Sequence, residues 1–151
     1  MEPAKALLRL EELCARAEHC EFELRQKLYR WMVSASDADT IINSLKHRRF
    51  LDDQRFTRAF VRDKIQYARW GKRKIALALA AKRIERDTVA EALDDIDQSD
   101  YENNLAELLK AKARTIDDAK TYDGRTKLFR FAASRGFEPD LVAKYIRKLF
   151  I

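Results

Sequence analysis

Glycine, proline, cysteine and histidine are all scarce in this chain of 151 residues, which contains three Gly, two Pro, two Cys and two His. The scarcity of the residues that interrupt regular structure, together with abundant Ala, Leu, Lys, Arg and Glu, predicts an all-α protein. No apolar run approaches the roughly 18 residues that a membrane-spanning helix requires. No secretory signal peptide is recognisable either. We therefore expect a soluble, cytoplasmic protein that has no membrane partner.

The few cysteines and histidines argue against a disulfide framework and against a structural zinc site. Cys14 and Cys20 could recruit His19, but a structural zinc ion normally takes four ligands, and His47 lies a helix away. We expect the two thiols to be core or boundary residues instead. No Ser-His-Asp order, Gly-rich phosphate loop or HExxH motif occurs. The chain is therefore predicted to be no enzyme and to need neither metal nor cofactor.

A seven-residue pattern recurs three times along the chain. It reads Asp, any residue, Ile or Val, three residues, then Leu or Ile, and it begins at Asp39, Asp87 and Asp140. A period of about 50 residues indicates stacked supersecondary units, each too small to bury its own apolar face alone. Such a scaffold offers a long surface rather than a deep pocket, so we expect function to lie on that surface.

Apolar residues recur at helical spacing in about nine segments, and these segments group into three triplets. We predict a single repeat domain over residues 1–151. Its repeats would cover about 3–50, 51–98 and 99–151. Each repeat would contain three helices.

Several residues predict where individual helices begin and end. Ser36 or Asp37 is predicted to cap the third helix. Gly71 is predicted to end the fourth helix and Gly136 the eighth, because Gly is the usual residue where a helix stops and the backbone turns. Gly124, which follows an aspartate, is predicted to lie in a turn.

The net charge of +6 is concentrated in the middle of the chain. Between Lys46 and Arg86 there are 14 Lys and Arg against four acidic residues, which leaves 17 basic and 21 acidic residues elsewhere. This excess predicts a surface for a polyanion, either nucleic-acid phosphate or an acidic protein surface. The alternative is a solvated helix face that pairs locally with Asp52, Asp53 and Asp63, but three acids are too few to neutralise it.

The basic residues in and after the fourth helix are the predicted contact surface. The primary candidates are Arg55, Arg58, Arg62, Arg69, Lys72, Arg73 and Lys74, and the secondary candidates are Arg48 and Arg49. Tyr67 and Trp70 lie among these cations and could stack on unpaired bases. Aromatic residues near a helix end more often close a core, however, and no pattern indicates base-specific readout.

Three segments of the chain carry motifs of one protein family. Residues 50–62, FLDDQRFTRAFVR, resemble the signature LDDxRFAxxFVxxR, and residues 71–82 are similar to the segment G-x-x-[RK]-I-x-x-x-L-x-x-[RK]. Residues 23–28, ELRQKL, resemble the motif ELRxKL. These three motifs are those of the RecX family, the bacterial regulators of the RecA recombinase, which the chain therefore resembles. Arg49 and Arg83 stand where the family often has Gly, so we expect these two turns to be built differently.

The resemblance implies an elongated, curved, right-handed array of three three-helix units. It also implies binding in the groove of the filament that RecA forms on single-stranded DNA, with limited filament growth and suppressed strand exchange and ATP hydrolysis. We therefore expect a monomeric modulator of RecA in DNA repair and the SOS response, with inhibition the favoured direction. The alternative is a stand-alone, sequence-independent DNA-binding protein of helix-turn-helix-like modules, which would bind naked DNA with a steep salt dependence.

Overall fold

The computed structural model of the protein describes all 151 residues, Met1–Ile151, and contains nine α-helices and no strand, which confirms the predicted all-α fold. A π-helical turn, Lys64–Ala68, continues the fourth helix. No helix is both long enough and apolar enough to cross a membrane. The helices are α1 (Pro3–Arg16), α2 (Glu21–Arg30), α3 (Ala35–His47), α4 (Asp53–Asp63), α5 (Lys72–Ala81), α6 (Arg86–Asp94), α7 (Gln98–Ala113), α8 (Tyr122–Ser134) and α9 (Pro139–Leu149).

The same packing pattern occurs in each successive triplet of helices. The third helix packs against both the first and the second, so that α3, α6 and α9 are the packing centres of their triplets. The recurring seven-residue pattern lies on these three helices. Its apolar positions are the ones that face the neighbouring helices, as the burial of Ile41, Val89 and Val142 shows.

The surface of the molecule is large for its mass. The accessible area is 9815 Å², whereas a compact monomer of this mass would expose roughly 7,900 Å². Only 30 of the 151 residues are buried. The excess area means that the helices form an extended array with a long exposed surface.

The buried apolar side chains form two separate clusters. The smaller cluster lies within α1–α3, which we call the first triplet, and includes Leu51 from the segment that follows it. The larger cluster runs through α4–α9 without interruption and takes in Cys20 from the start of α2. The helices α4–α9, here called the α4–α9 block, therefore share one core. The predicted repeat bounds stay a prediction, because a shared core marks no border near residue 98.

The two cysteines are free thiols, as expected for core or boundary residues. Cys20 is fully buried and Cys14 is half-buried. Burial raises the pKa of Cys20 to about 11. The thiol of Cys20 is therefore protonated near neutral pH and is a poor nucleophile.

The third helix begins earlier than predicted. Its N-cap is Ser34, whose hydroxyl accepts a hydrogen bond from the Asp37 backbone N–H at 3.1 Å. The prediction of Ser36 or Asp37 as the cap is wrong, because the chain already leaves α2 at Val33, whose N–H donates to the Leu28 carbonyl.

The prediction that Gly71 ends the fourth helix is wrong. Arg69 adopts the left-handed conformation, φ 54°, that ends the π-helical turn, and Gly71 is the N-cap of α5 with φ −78°. Glycine is needed at position 71 for space, because a Cβ there would overlap the backbone of Gly136. Gly136 does end α8 as predicted, with φ 94°.

Two further predictions about turns, one at Gly124 and one at Arg49 and Arg83, are wrong. Gly124 lies in the first turn of α8, where its N–H donates to the side chain of the N-cap Thr121 at 3.1 Å. Arg49 and Arg83 keep the left-handed conformation, with φ 62° and 57°, so these turns are not rebuilt. A side chain in this conformation costs about 1 kcal/mol or more, and here two arginines carry that cost.

Candidate binding surface

The basic face of α4 is positioned by the burial of its opposite face. Phe56, Thr57 and Val61 are buried, and the Thr57 hydroxyl donates to the Asp53 carbonyl at 2.6 Å. Asp52 caps the helix by accepting hydrogen bonds from two backbone N–H groups. With this face fixed in the core, the arginines of α4 point away from it.

Arg55 is occupied by contacts within the chain. Its Nε donates to Glu18, in the link between α1 and α2, and its Nη2 donates to the carbonyls of Arg49 at 3.1 Å and Phe50 at 3.3 Å. The hydrogen bond to Glu18 raises the pKa of the Arg55 guanidinium. Arg55 therefore connects the first triplet to α4, unlike the other arginines of that helix.

Arg58 and Arg62 lie one turn apart on α4 and are both exposed. Neither forms an ion pair or a side-chain hydrogen bond within the chain. They form one wall of a cleft of 550 Å³, and the opposite wall, from the α6–α7 segment, carries Asp95, Asp97 and Asp100. Sequence reasoning missed this acidic wall, although the acidic run after α6 is visible in the printed sequence.

A second group of cations lies on the turn formed by Arg69–Gly71 and the first two residues of α5, Lys72 and Arg73. Arg69 and Arg73 are exposed and their side chains make no ion pair. The Lys72 ammonium donates to Gln98 at 3.3 Å and lies 5.1 Å from the centre of the Tyr101 ring. This turn therefore presents two unpaired guanidinium groups beside a tethered lysine.

The backbone of this turn is joined to the turn between α8 and α9. The Gly71 N–H donates to the Arg135 carbonyl at 2.7 Å, and the Arg73 N–H donates to the Gly136 carbonyl at 3.0 Å. Main-chain bonds of this kind hold the turn without using the cationic side chains. The positions of the unpaired arginines are therefore set by the fold of the α4–α9 block.

Tyr101 adds a third bond to the same junction. Its hydroxyl oxygen accepts from the Lys72 backbone N–H at 2.9 Å while its O–H donates to Glu138. The ring is fully buried and lies 5.3 Å from the ring of Phe137. Burial, and then the bond to Glu138, raises the pKa of Tyr101 well above its ordinary value. The hydroxyl is therefore protonated near neutral pH and can donate to Glu138.

The two aromatic residues among the cations have different environments. Trp70 is half-buried and packs against the larger cluster, with the ammonium groups of Lys64 and Lys74 at 4.5 and 4.4 Å from its ring centre. Tyr67 is 75% exposed. Trp70 thus closes the core, whereas Tyr67 is the aromatic ring that is open to an occupant.

The two secondary candidates, Arg48 and Arg49, differ in their contacts. Arg48 forms an ion pair with Glu11 at 3.4 Å and lies 5.0 Å from the ring of Phe50. Arg49 is exposed and its side chain makes no ion pair.

The structure contains no group of three or more His, Cys, Asp or Glu side chains that could hold a metal ion.

Comparison with known proteins identifies similar sequences along most of the chain. The family model described as the second three-helix domain of RecX matches residues 52–93. The regulatory protein RecX of Vibrio parahaemolyticus is 30% identical over 133 residues, which cover 87% of this chain and 83% of that protein. The RecX of Clostridium botulinum strain Eklund 17B is 31% identical over 135 residues. The chain spans about 60% of the length of this and the other clostridial relatives.

Solved structures share the fold of the whole chain. The crystal structure of RecX from Lactobacillus salivarius superposes with a TM-score of 0.85, covering 97% of this chain and 96% of that one at 19% identity. A second crystal structure, described as the regulatory protein RecX, gives a TM-score of 0.84 over 97% of this chain and 71% of its own. The arrangement of nine helices is therefore one that solved proteins adopt.

Proposed function

The chain belongs to the RecX family, and on that premise we propose that it regulates the RecA recombinase by binding the filament that RecA forms on single-stranded DNA. We propose further that binding inhibits the recombinase and ATPase activities. In this proposal the protein acts as a cytoplasmic monomer, without chemistry of its own, in DNA repair and the SOS response.

The observation that carries this proposal is the set of unpaired guanidinium groups on the α4–α9 block. Arg58, Arg62, Arg69 and Arg73 are exposed and make no ion pair. Cations of this kind attract nucleic-acid phosphate and acidic protein surfaces, and their pairing releases counterions. A filament of protein on single-stranded DNA offers both kinds of negative charge along a repeating track.

The shape of the molecule supports the same function. Its accessible area is larger than that of a compact protein of its mass. An extended body can contact several neighbouring subunits of a helical polymer, and each added contact raises the effective affinity. Bound in this way, the protein would limit filament growth by occupying the track, with no catalytic step.

Fluorescence anisotropy with labelled protein tests this function. We expect much tighter binding to RecA assembled on oligo(dT) than to oligo(dT) alone or to RecA alone. Equal affinity for the filament and for the bare oligonucleotide would contradict filament recognition. Titration with NaCl should weaken binding, because phosphate and surface charges are screened.

The second candidate is a stand-alone DNA-binding protein, and the exposure of Tyr67 beside Arg69 favours it. An exposed aromatic ring among cations can stack on an unpaired base, at about 1–3 kcal/mol per base. This function predicts that Tyr67→Ala weakens binding to naked oligo(dT) as strongly as binding to the filament. A loss of affinity confined to the filament would instead favour the first candidate.

A further inference from the structure

The cleft between α4 and the α6–α7 segment differs from the rest of the basic surface because its walls carry opposite charges. Arg58 and Arg62 form one wall, and Asp95, Asp97 and Asp100 form the other. All five side chains are exposed. No nitrogen of either arginine lies within 4.0 Å of a carboxylate oxygen. Both walls therefore offer unpaired charge to an occupant.

Packing beneath the cleft keeps the two walls apart. The floor includes Val61, Ile65 and Ala92, which are buried in the larger cluster, and the half-buried Ile96 lies beside them. The Asn104 side chain donates to the Ile65 carbonyl at 2.9 Å. This bond fixes α7 against the π-helical turn. The cleft is thus a depression with an apolar floor between packed elements, and the charges on its two sides are unpaired in this structure.

A nucleic-acid strand suits this cleft poorly. Its phosphates would be attracted by two guanidinium groups but repelled by three carboxylates across the same gap. A protein segment that carries one acidic and one basic side chain around an apolar residue would satisfy both walls and cover the floor. The turn that carries Arg69 and Arg73 forms no ion pair with a carboxylate, and it suits phosphate better.

We propose that the cleft docks a segment of the recombinase protein in which an apolar side chain lies between an acidic and a basic one. The DNA phosphates are then contacted by Arg69 and Arg73. This division of the basic surface rests on the proposed function, because it assumes that the partner is a protein–DNA filament. The carboxylates of Asp95 and Asp100 are then attractive to the partner rather than repulsive.

The direction in which one double substitution changes the affinity for the filament tests whether the cleft docks a protein segment. Asp95→Asn/Asp100→Asn removes two exposed negative charges and leaves Asp97, which caps α7 by accepting from the Asp100 N–H, in place. We expect the double variant to bind the RecA–oligo(dT) filament about fivefold more weakly and bare oligo(dT) at least as tightly as wild type. The matched control is Asp87→Asn/Asp117→Asn, which makes the same charge change at exposed positions outside the cleft.

Each outcome of the anisotropy titrations decides between the possibilities. A filament affinity that is unchanged or increased in Asp95→Asn/Asp100→Asn overturns the proposal that the cleft docks a protein segment. An increase would indicate a phosphate site, because such a site gains affinity when negative charge is removed. An equal loss in the control also overturns it. A wild-type protein that does not bind the filament at all overturns the proposed function, and the cleft with it. Circular dichroism of each variant confirms that the helices are intact.

Discussion

The two junctions of the molecule are built from different interactions. At what we call the outer junction, the first triplet is joined to the α4–α9 block by charged side chains, by the Asp53 carboxylate, which accepts from the Glu21 N–H at 2.8 Å, and by apolar contacts of Cys20 and Phe22. At the inner junction, inside the block, α4–α6 and α7–α9 are joined by backbone hydrogen bonds and one continuous apolar core. From this comparison we expect the block to move as one body, and we expect salt to weaken part of the attachment of the first triplet.

The outer junction includes two ion pairs between exposed or half-buried side chains. Arg55 pairs with Glu18, and Lys82 pairs with Glu23 at 3.2 Å. Ion pairs of this exposure contribute about 0.2–1 kcal/mol each and weaken as ionic strength rises. We therefore expect the first triplet to adjust its position more readily than the halves of the block when the long surface meets a partner.

The largest expected effect comes from breaking the inner junction at Gly71. In Gly71→Ala the new Cβ would overlap the backbone of Gly136, so the two turns must separate and lose their shared hydrogen bonds. We expect the free energy of unfolding to fall by about 3 kcal/mol, measured by urea denaturation. The control is Ala80→Gly at an exposed position of α5, which should cost about 1 kcal/mol. If Gly71→Ala lowers the free energy of unfolding by no more than Ala80→Gly does, the close approach of Gly71 to Gly136 does not stabilise the inner junction.

A smaller loss is expected at Tyr101. In Tyr101→Phe the Lys72 N–H and the Glu138 carboxylate both lose their bond to the hydroxyl, so that a part-buried donor is left unpaired. We expect a destabilisation of about 2 kcal/mol by thermal unfolding. Tyr145→Phe, which removes a bond to Glu102 but leaves no backbone N–H unpaired, should cost less. Equal costs for the two variants would mean that the inner junction is no stronger than a surface contact.

At the outer junction we expect a smaller energy than at Tyr101, namely the coupling energy between Arg55 and Glu18. A double-mutant cycle with Arg55→Gln and Glu18→Gln isolates the ion pair between these two side chains. We expect a coupling of about 0.5 kcal/mol at low salt that declines towards zero in 1 M NaCl. A coupling that 1 M NaCl leaves unchanged would show that this junction is as shielded as the inner one.

The rate at which the Cys20 thiol is alkylated measures how often the outer junction opens, and it requires no substitution at that junction. Burial raises the pKa of its thiol to about 11, so at pH 8 little thiolate is present and alkylation of the folded protein should be slow. In a Cys14→Ser background we expect 1 M NaCl to accelerate labelling of Cys20 by iodoacetamide about two- to threefold, because weaker ion pairs open the junction more often. Mass spectrometry follows the reaction. Labelling that slows or stays constant in salt would contradict a salt-weakened junction.

The number and type of the helices could be predicted because helical periodicity is a local property of the sequence. The recurring pattern at Asp39, Asp87 and Asp140 was informative for the same reason, since it marks the helix at the packing centre of each triplet. Local signals of this kind also predicted correctly that Gly136 ends α8.

Features that depend on distant parts of the chain could not be predicted. The role of Gly71 follows from the approach of Gly136, which no local pattern indicates. Likewise, helical spacing places Arg55 on the same face as Arg58, but only the fold brings Glu18 to Arg55 and leaves Arg58 unpaired. The predicted contact surface itself remains a prediction, now centred on the unpaired arginines.

The central claim is that the unpaired arginines of the α4–α9 block bind the RecA filament, and the RecA ATPase rate on single-stranded DNA tests it most directly. Wild-type protein added at substoichiometric amounts should lower that rate, whereas Arg58→Glu/Arg62→Glu/Arg73→Glu should have little effect. Lys5→Glu/Arg16→Glu/Arg30→Glu makes the same charge change at exposed positions of the first triplet and should inhibit nearly as well as wild type. A block variant that inhibits as strongly as wild type would contradict the claim.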